Sequence, residues 1–102
     1  MERVYDYNRS VHGYVKNNKI YDNRHHVMGY TDGSMVYDAS HTPVAYFSNG
    51  MVYHPATGVP VGYYNGYNLY NMSGRYLGYG NQGWLGLLGA GLLLGSLGGW
   101  WW

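Results

Sequence analysis

The sequence predicts an all-β fold in which five β-hairpin repeats of about sixteen residues close into a pseudo-fivefold ring, followed by an apolar, glycine-rich helix. The repeats are predicted by two sets of tyrosines that recur with the same period along the first eighty residues and are called columns below. Turn-forming residue pairs at a fixed distance from one column predict the hairpins. A sharp change in composition near Gly83 predicts the helix. The predicted division is 1–80 for the hairpin module, 81–83 for a short linker and 84–102 for the helix.

The tyrosines define the repeat through two independent patterns. In the first column an aliphatic residue precedes the tyrosine, and in the second column a small residue precedes it. The first column consists of Tyr5, Tyr21, Tyr37, Tyr53 and Tyr70. The second column consists of Tyr14, Tyr30, Tyr46, Tyr63 and Tyr79. Two columns with a common period indicate five copies of one structural unit.

The spacing between the columns locates the turns. The link from each second-column tyrosine to the next aliphatic residue is constant in length, and it holds Asn17-Asn18, Asp32-Gly33, Asn49-Gly50 and Asn65-Gly66. Asn and Gly tolerate the positive φ that tight hairpin turns require. The return link is one residue longer in the fourth unit, where residues 54–60 contain two prolines and a glycine. This stretch is predicted to be a loop, because loops accept insertions.

Alternation along each strand predicts which residues share a face. The small residue of the second strand should face away from the tyrosine that follows it. Its size indicates close approach by something bulky, which we expect to be a neighbouring tyrosine ring. The residues just before the small column are predicted to share the tyrosine face: His12, Met28, Val44, Val61 and Leu77. The polar residue after each first-column tyrosine, for example Asp38, is predicted to cap the loop as an Asx turn.

Closure of the ten strands would remove both sheet edges, so we favour it over a flat meander. A two-strand solenoid coil also fits the period, but Asn-Gly and Asp-Gly turns favour antiparallel hairpins. The motifs in residues 35–46 and 69–79 resemble those of the five-fold β-flower repeat proteins common in Bacteroides-type bacteria, and the resemblance covers about residues 4–80. It implies a compact flower of β-hairpins and no assigned enzymatic activity. Many members of that family look exported.

Catalytic and metal sites are not predicted. No Ser/His/Asp triad, pair of carboxylates in an apolar setting or phosphate-binding loop can be picked out, so neither an enzyme nor a cofactor is expected. The chain has no cysteine. One loop column is predicted to lie on a single rim as solvated residues: Arg9, His25, His41, Thr57 and Gly74. The formal net charge is +1 and the six Lys and Arg residues are scattered, which argues against nucleic acid as a partner.

The uncharged tail from Trp84 to Trp102 is predicted to be a membrane-spanning helix. As an α-helix it would be about 28 Å long, close to the hydrocarbon thickness of a bilayer. Tryptophan at both ends, Trp84 and then Trp100, Trp101 and Trp102, would lie at the two interfaces. Gly91, Gly95 and Gly99 would line one face for helix association. The open alternatives are a helix that plugs or packs on the flower and one that pairs with another chain.

The predicted function is therefore a non-enzymatic, membrane-anchored module with a binding or envelope-structural role. Its expected partners are membrane lipid, copies of itself, and another protein or a glycan. No signal peptide is seen at the N-terminus, so membrane association is expected, with an extracellular or virion assembly as the alternative. In that alternative the tail is buried between subunits. A further alternative is a carbohydrate-binding module that uses exposed tyrosine rows, although these rows also suit packing between hairpins.

Overall fold

Each repeat forms two antiparallel strands, and the ten strands close into one barrel in the computed structural model, which describes residues 2–81 and 83–97. The strands are β1 (Glu2–Asp6), β2 (Val11–Lys16), β3 (Lys19–Asp22), β4 (Val27–Thr31), β5 (Met35–Asp38), β6 (Pro43–Ser48), β7 (Met51–Tyr53), β8 (Pro60–Asn65), β9 (Asn68–Asn71) and β10 (Tyr76–Gly80). Each strand pairs with its neighbours in sequence, and β1 pairs with β10. The predicted all-β fold of closed hairpin repeats is confirmed.

The tight turns depend on Asn and Gly, as the sequence predicts. Asn17 and Asn18 have φ values of 53° and 62°, and Asn49 and Gly50 have values of 52° and 83°. These two turns need positive φ at both central residues, which Asn and Gly adopt with little strain. At the fourth turn the pairing of Asn65 with Asn68 makes Gly66 the first central residue, with φ 61°. The turn there begins one residue later than the Asn-Gly pair suggests.

A β-bulge recurs in every repeat and changes the predicted face of one residue. Ile20 pairs with Gly29 and Tyr21 pairs with Val27, so Met28 is the extra residue of the bulge. The equivalent extra residues are His12, Val44, Val61 and Leu77. Leu77 is buried, and Met28, Val44 and Val61 pack against the core. The prediction that they share the outer face with the tyrosines is wrong for these four, because the bulge interrupts strict alternation.

The barrel interior is filled by the C-terminal helix. Helix α1 (Trp84–Ala90) continues as a π-helical segment (Gly91–Ser96), and residues 86–95 are all buried. Leu87, Leu88 and Leu92 are fully buried among inward side chains of the strands. A ten-stranded barrel encloses a wide interior, which side chains of the strands alone do not fill.

The small-residue column makes room for this helix. A Cβ atom added at Gly13 would lie 2.6 Å from Cδ1 of Leu93 and would also clash with the carbonyl oxygen of Tyr21. A Cβ atom at Gly29 would likewise meet Leu92, and one at Gly78 would meet Leu94. The close neighbours are therefore helix leucines and strand carbonyls. The expectation of a neighbouring tyrosine ring is wrong, because the tyrosine rings lie on the opposite face.

In the part of the chain that the structure describes, none of the helices combines the length and the apolar character that crossing a membrane requires.

The transmembrane helix predicted for residues 84–102 thus has no support from the described residues, which end at Leu97. Residues 86–95 of this segment are buried inside the barrel, an environment that apolar side chains also suit. Gly99, Trp100, Trp101 and Trp102 lie outside the described residues.

Candidate ligand-binding surface

The two tyrosine columns meet as five cross-strand pairs on the outer wall of the barrel. Each first-column tyrosine lies directly opposite the second-column tyrosine that precedes it around the barrel. The pairs are Tyr14–Tyr21, Tyr30–Tyr37, Tyr46–Tyr53, Tyr63–Tyr70 and Tyr79–Tyr5. In the last of these the rings stack with centroids 5.0 Å apart and planes 9° apart. The rings of Tyr63 and Tyr70 also stack, those of Tyr46 and Tyr53 are tilted with centroids 6.5 Å apart, and Tyr46 is 39% exposed.

The longer loops of the repeats are held by side-chain caps. In the third repeat, Oδ1 of Asp38 accepts hydrogen bonds from the backbone N–H groups of Ser40 at 2.9 Å and Thr42 at 3.0 Å. Asp6, Asp22 and Asn71 make the same pair of bonds in their loops. In the fourth repeat Nδ1 of His54 accepts from Ala56. The contacts of Asp6, Asp22, Asp38 and Asn71 are the predicted Asx turns, and together with that of His54 they fix the loop backbone.

One residue in each loop adopts a left-handed conformation beside a tyrosine pair. These residues are Arg9, His25, His41, Gly58 and Gly74, with φ between 64° and 84°. The fourth member is Gly58 and not Thr57 as the spacing predicts, because the inserted residue shifts the loop by one position. The imidazole of His41 stacks on Tyr30 at 4.2 Å, and that of His25 stacks on Tyr14 at 5.1 Å. The loop position therefore aims a side chain at the wall of the preceding hairpin.

Four clefts occur at equivalent places around the wall. Three clefts are named by the tyrosine pairs that line them: Tyr14–Tyr21, Tyr30–Tyr37 and Tyr46–Tyr53. The fourth lies beside the fifth pair and is called the Tyr79 cleft. Their volumes are 370, 290, 320 and 350 Å³ in that order. Each combines aromatic rings with at least one nitrogen-bearing side chain. This combination of an apolar platform with a few polar groups is typical of small-molecule sites.

The Tyr30–Tyr37 cleft contains an anionic acceptor, Asp32. Its Oδ1 accepts the N–H groups of Met35 at 2.9 Å and Ser34 at 3.2 Å, and these bonds hold the pKa of Asp32 below its usual value. Its Oδ2 accepts a hydrogen bond from the hydroxyl of Tyr37 at 3.3 Å. Partial burial and the nearby negative charge raise the pKa of Tyr37. The cleft thus offers an ionised carboxylate and a phenol at neutral pH.

A family model described as the 5-fold beta-flower protein matches residues 1–86 of the chain. The chain belongs to the 5-fold beta-flower proteins. The match covers all ten strands of this β-flower and ends at Gly86, near the start of α1. No curated protein and no solved structure matches the chain.

The residues predicted for the membrane interface and for helix association lie within the β-flower where they are described. Trp84 is half-buried, its ring packs against Tyr64 at 5.3 Å, and its Nε1 donates a hydrogen bond to the carbonyl of Gly33. Gly91 and Gly95 are buried in the π-helical segment inside the barrel. None of these three residues lines any of the four clefts. Within residues 2–81 and 83–97 no cluster of three His, Asp or Glu suits a metal ion.

The tyrosines of the clefts follow from the sequence, whereas their polar neighbours were missed. Lys16 and Lys19 line two of the clefts, and Arg9 lines a third. Alternation could have found both lysines, since Lys16 follows Tyr14 by two positions and Lys19 precedes Tyr21 by two. Arg9 could not be predicted as a cleft residue from the sequence, because it joins its cleft only when β1 pairs with β10. Its partner Tyr79 is seventy positions away in the chain.

Proposed function

We propose that this β-flower is a non-enzymatic binding module that recognises carbohydrate through the repeated tyrosine clefts of its outer wall. The observation that supports this function is the recurrence of one arrangement at four places: tyrosine rings beside a residue of the long loop or hairpin turn that can donate hydrogen bonds. A tyrosine ring presents an electron-rich face to polarised C–H groups of a sugar, and its hydroxyl bonds sugar hydroxyls.

The size and the polarity of the clefts favour a sugar over a folded protein surface. Volumes of 290 to 370 Å³ lie at the small end of ligand sites. In the Tyr30–Tyr37 cleft the side chains of Asn17, Asn18 and Asp32 line the same space as the rings. Amide and carboxylate groups match the mixed donor and acceptor character of sugar hydroxyls.

Repetition of the clefts explains how weak individual sites would give useful affinity. A polysaccharide presents the same sugar many times, so a chain held at one cleft is at high effective concentration for another. The central helix supports the wall from inside and contributes no cleft residue in these four sites. Membrane lipid and copies of the chain stay predicted partners, which flotation with liposomes and sedimentation would test.

A glycan array followed by calorimetric titration of the bound glycans tests the proposal. We expect Tyr46→Leu and Tyr30→Leu each to weaken binding by about tenfold, as the loss of an aromatic stacking contact implies. Tyr67→Leu is the matched control, because Tyr67 is 49% exposed and lines none of the four clefts. Binding that is lost equally in all three variants, or no glycan bound by the wild type, would contradict the proposal.

A further inference from the structure

Resting on the proposed function, we infer that the Tyr14–Tyr21 cleft selects sugars that carry a carboxylate, namely the uronic acid residues of acidic polysaccharides. The inference comes from the charges around this cleft. It is lined by Tyr14, Tyr21, Lys16 and His25, and no carboxylate is among its lining residues.

The two lysines of the hairpin form a like-charged pair. Lys16 and Lys19 lie directly opposite each other in the register of β2 and β3, next to the opposed Tyr14 and Tyr21. Like charges in opposite positions on a sheet repel each other. Both lysines are exposed, and neither forms an ion pair within residues 2–81 and 83–97. Lys16 lines the Tyr14–Tyr21 cleft and Lys19 lines the neighbouring Tyr30–Tyr37 cleft, so an anionic group bound at Lys16 would offset this repulsion.

The loop between β3 and β4 adds a second nitrogen-bearing side chain, that of His25, to the lining of this cleft. His25 has φ 67° and stacks on Tyr14 with planes 18° apart. A residue with a side chain is strained in this conformation, and the equivalent positions Gly58 and Gly74 are glycines. The histidine is thus held over the ring at a cost that glycine would avoid.

The acidic side chains of this loop are already engaged. Oδ1 of Asp22 accepts hydrogen bonds from the backbone of Arg24 and His26, both at 2.9 Å. Its Oδ2 lies 3.5 Å from Nδ1 of His26. These amide contacts lower the pKa of Asp22, and its charge is directed into its own loop. The lining of the Tyr14–Tyr21 cleft therefore has a positive charge with no carboxylate beside it, whereas in the Tyr30–Tyr37 cleft Asp32 offsets the charge of Lys19, and that cleft suits neutral sugars better.

In the bound state the arrangement assigns a role to each part of the ligand. The sugar ring lies against Tyr21 and the edge of the Tyr14–His25 stack. The carboxylate lies towards the turn, where the ammonium group of Lys16 donates a charge-assisted hydrogen bond and the charge of Lys19 acts from the opposite strand. Imidazole N–H of His25 donates to a ring hydroxyl. No covalent change takes place.

The test is a calorimetric titration with three probes: trigalacturonate, the matched neutral trisaccharide of galactose, and a short polyglutamate. We expect wild-type protein to bind trigalacturonate about tenfold or more tightly than the neutral trisaccharide, as a charge-assisted contact implies. Lys16→Gln should lower affinity for trigalacturonate about tenfold and affinity for the neutral trisaccharide clearly less, because glutamine keeps a hydrogen-bond donor and removes only the charge. Lys16→Arg keeps the positive charge and should bind trigalacturonate about as tightly as the wild type.

The control is Arg24→Gln, which removes the same charge from an exposed residue that does not line the cleft. It should change trigalacturonate affinity by less than about twofold. The double variant Lys16→Gln/Lys19→Gln should melt no lower than the wild type, because it relieves a repulsion. This readout separates a ligand role from a structural one.

The outcomes separate the two proposals. Equal binding of the acidic and neutral trisaccharides, with no effect of the lysine variants, would overturn the uronate inference and leave carbohydrate binding standing. Polyglutamate bound as tightly as trigalacturonate would overturn it as well, since charge alone would then suffice. If neither trisaccharide binds and the glycan array is also blank, carbohydrate binding itself fails.

Discussion

Glu2 accepts a hydrogen bond from the backbone N–H of Gly86 across 2.7 Å, so a carboxylate from β1 lies at the first turn of α1. The first N–H groups of a helix have no partner within the helix. Gly83 at the N-cap has no side chain to supply one, and the first turn contains no acidic residue. A residue from the start of the barrel therefore caps the helix that fills it.

Replacing this cap should lower the stability of the whole fold. We expect Glu2→Ala to reduce the free energy of unfolding by about 1 to 2 kcal/mol, because a charged acceptor at a helix N-terminus is lost. Glu2→Gln keeps an acceptor without the charge, so its free energy of unfolding should lie between those of the wild type and Glu2→Ala. Urea unfolding followed by circular dichroism measures the difference. Asn23→Ala, at an exposed loop position, is the control. A Glu2→Ala midpoint equal to that control would exclude the capping role.

The small-residue column should be intolerant of even a methyl group where helix and strand both approach. A Cβ atom at Gly29 would lie 2.5 Å from Cδ2 of Leu92 and would clash with the carbonyl oxygen of Tyr37. We expect Gly29→Ala to lower the free energy of unfolding by about 1 to 3 kcal/mol, which is usual for overpacking.

Ala45 provides the reciprocal comparison, because it is the one member of the column with a methyl group and it is fully buried. Ala45→Gly removes a buried methyl and adds backbone freedom, and should cost about 1 kcal/mol. The same urea titration measures both variants. A Gly29→Ala protein as stable as the wild type would show that the barrel relaxes around the added atom.

Acid should destabilise the protein partly through Asp32. The N–H groups of Met35 and Ser34 lower the pKa of Asp32 in the folded chain. On acidification the unfolded chain therefore takes up the proton first. The stabilisation from ionised Asp32 is present above the unfolded pKa of about 3.9 and is lost as the pH falls through the lower folded value. Because the carboxylate is exposed, its share should stay below about 1 kcal/mol.

Asp32→Asn keeps an oxygen acceptor but does not titrate, so it isolates this contribution. Unfolding free energies measured between pH 6 and pH 2.5 should fall less steeply for the variant than for the wild type below about pH 4. Two parallel curves would mean that the hydrogen bonds to Asp32 do not persist in solution.

The repeats could be predicted from the sequence because each strand alternates and each tight turn needs Asn or Gly. Val36, Tyr37 and Asp38 occupy the core, the wall and the loop cap, and each position has its own residue preference. The bulge at Met28 could not be predicted, since an extra residue in a strand leaves no mark in the alternation until the partner strand is known.

For a different reason, the sequence could not decide between a helix in a membrane and one packed on the flower. A lipid bilayer and a barrel interior are both apolar, so Leu87 and Leu92 would suit either. The discriminating feature is the shape of the surrounding wall, where Gly13 and Gly29 leave space that only the closed barrel reveals. The clefts depend on the same closure, because Arg9 and Tyr79 come together only when β1 pairs with β10.

The helix should contribute most of its stabilisation through side chains that face the strands. Leu88 and Leu92 are fully buried, whereas Leu97, one residue past the π-helical segment, is 50% exposed. We expect Leu88→Ala and Leu92→Ala each to lower the free energy of unfolding by about 2 to 5 kcal/mol, because each leaves a cavity in a closed interior. Leu97→Ala makes the same chemical change at the surface and should stay within about 0.5 kcal/mol of the wild type.

A chain that ends at Gln82 gives the strongest form of this prediction. Without α1 the inward faces of ten strands, including Val4 and Ile20, would enclose a void that water or collapse must fill. We expect this truncated chain to show no cooperative thermal transition by circular dichroism at 220 nm, where the full chain shows one. If it instead melts cooperatively at the temperature of the full chain, the strands form a stable flower alone. The helix would then be an occupant of the barrel and not its core.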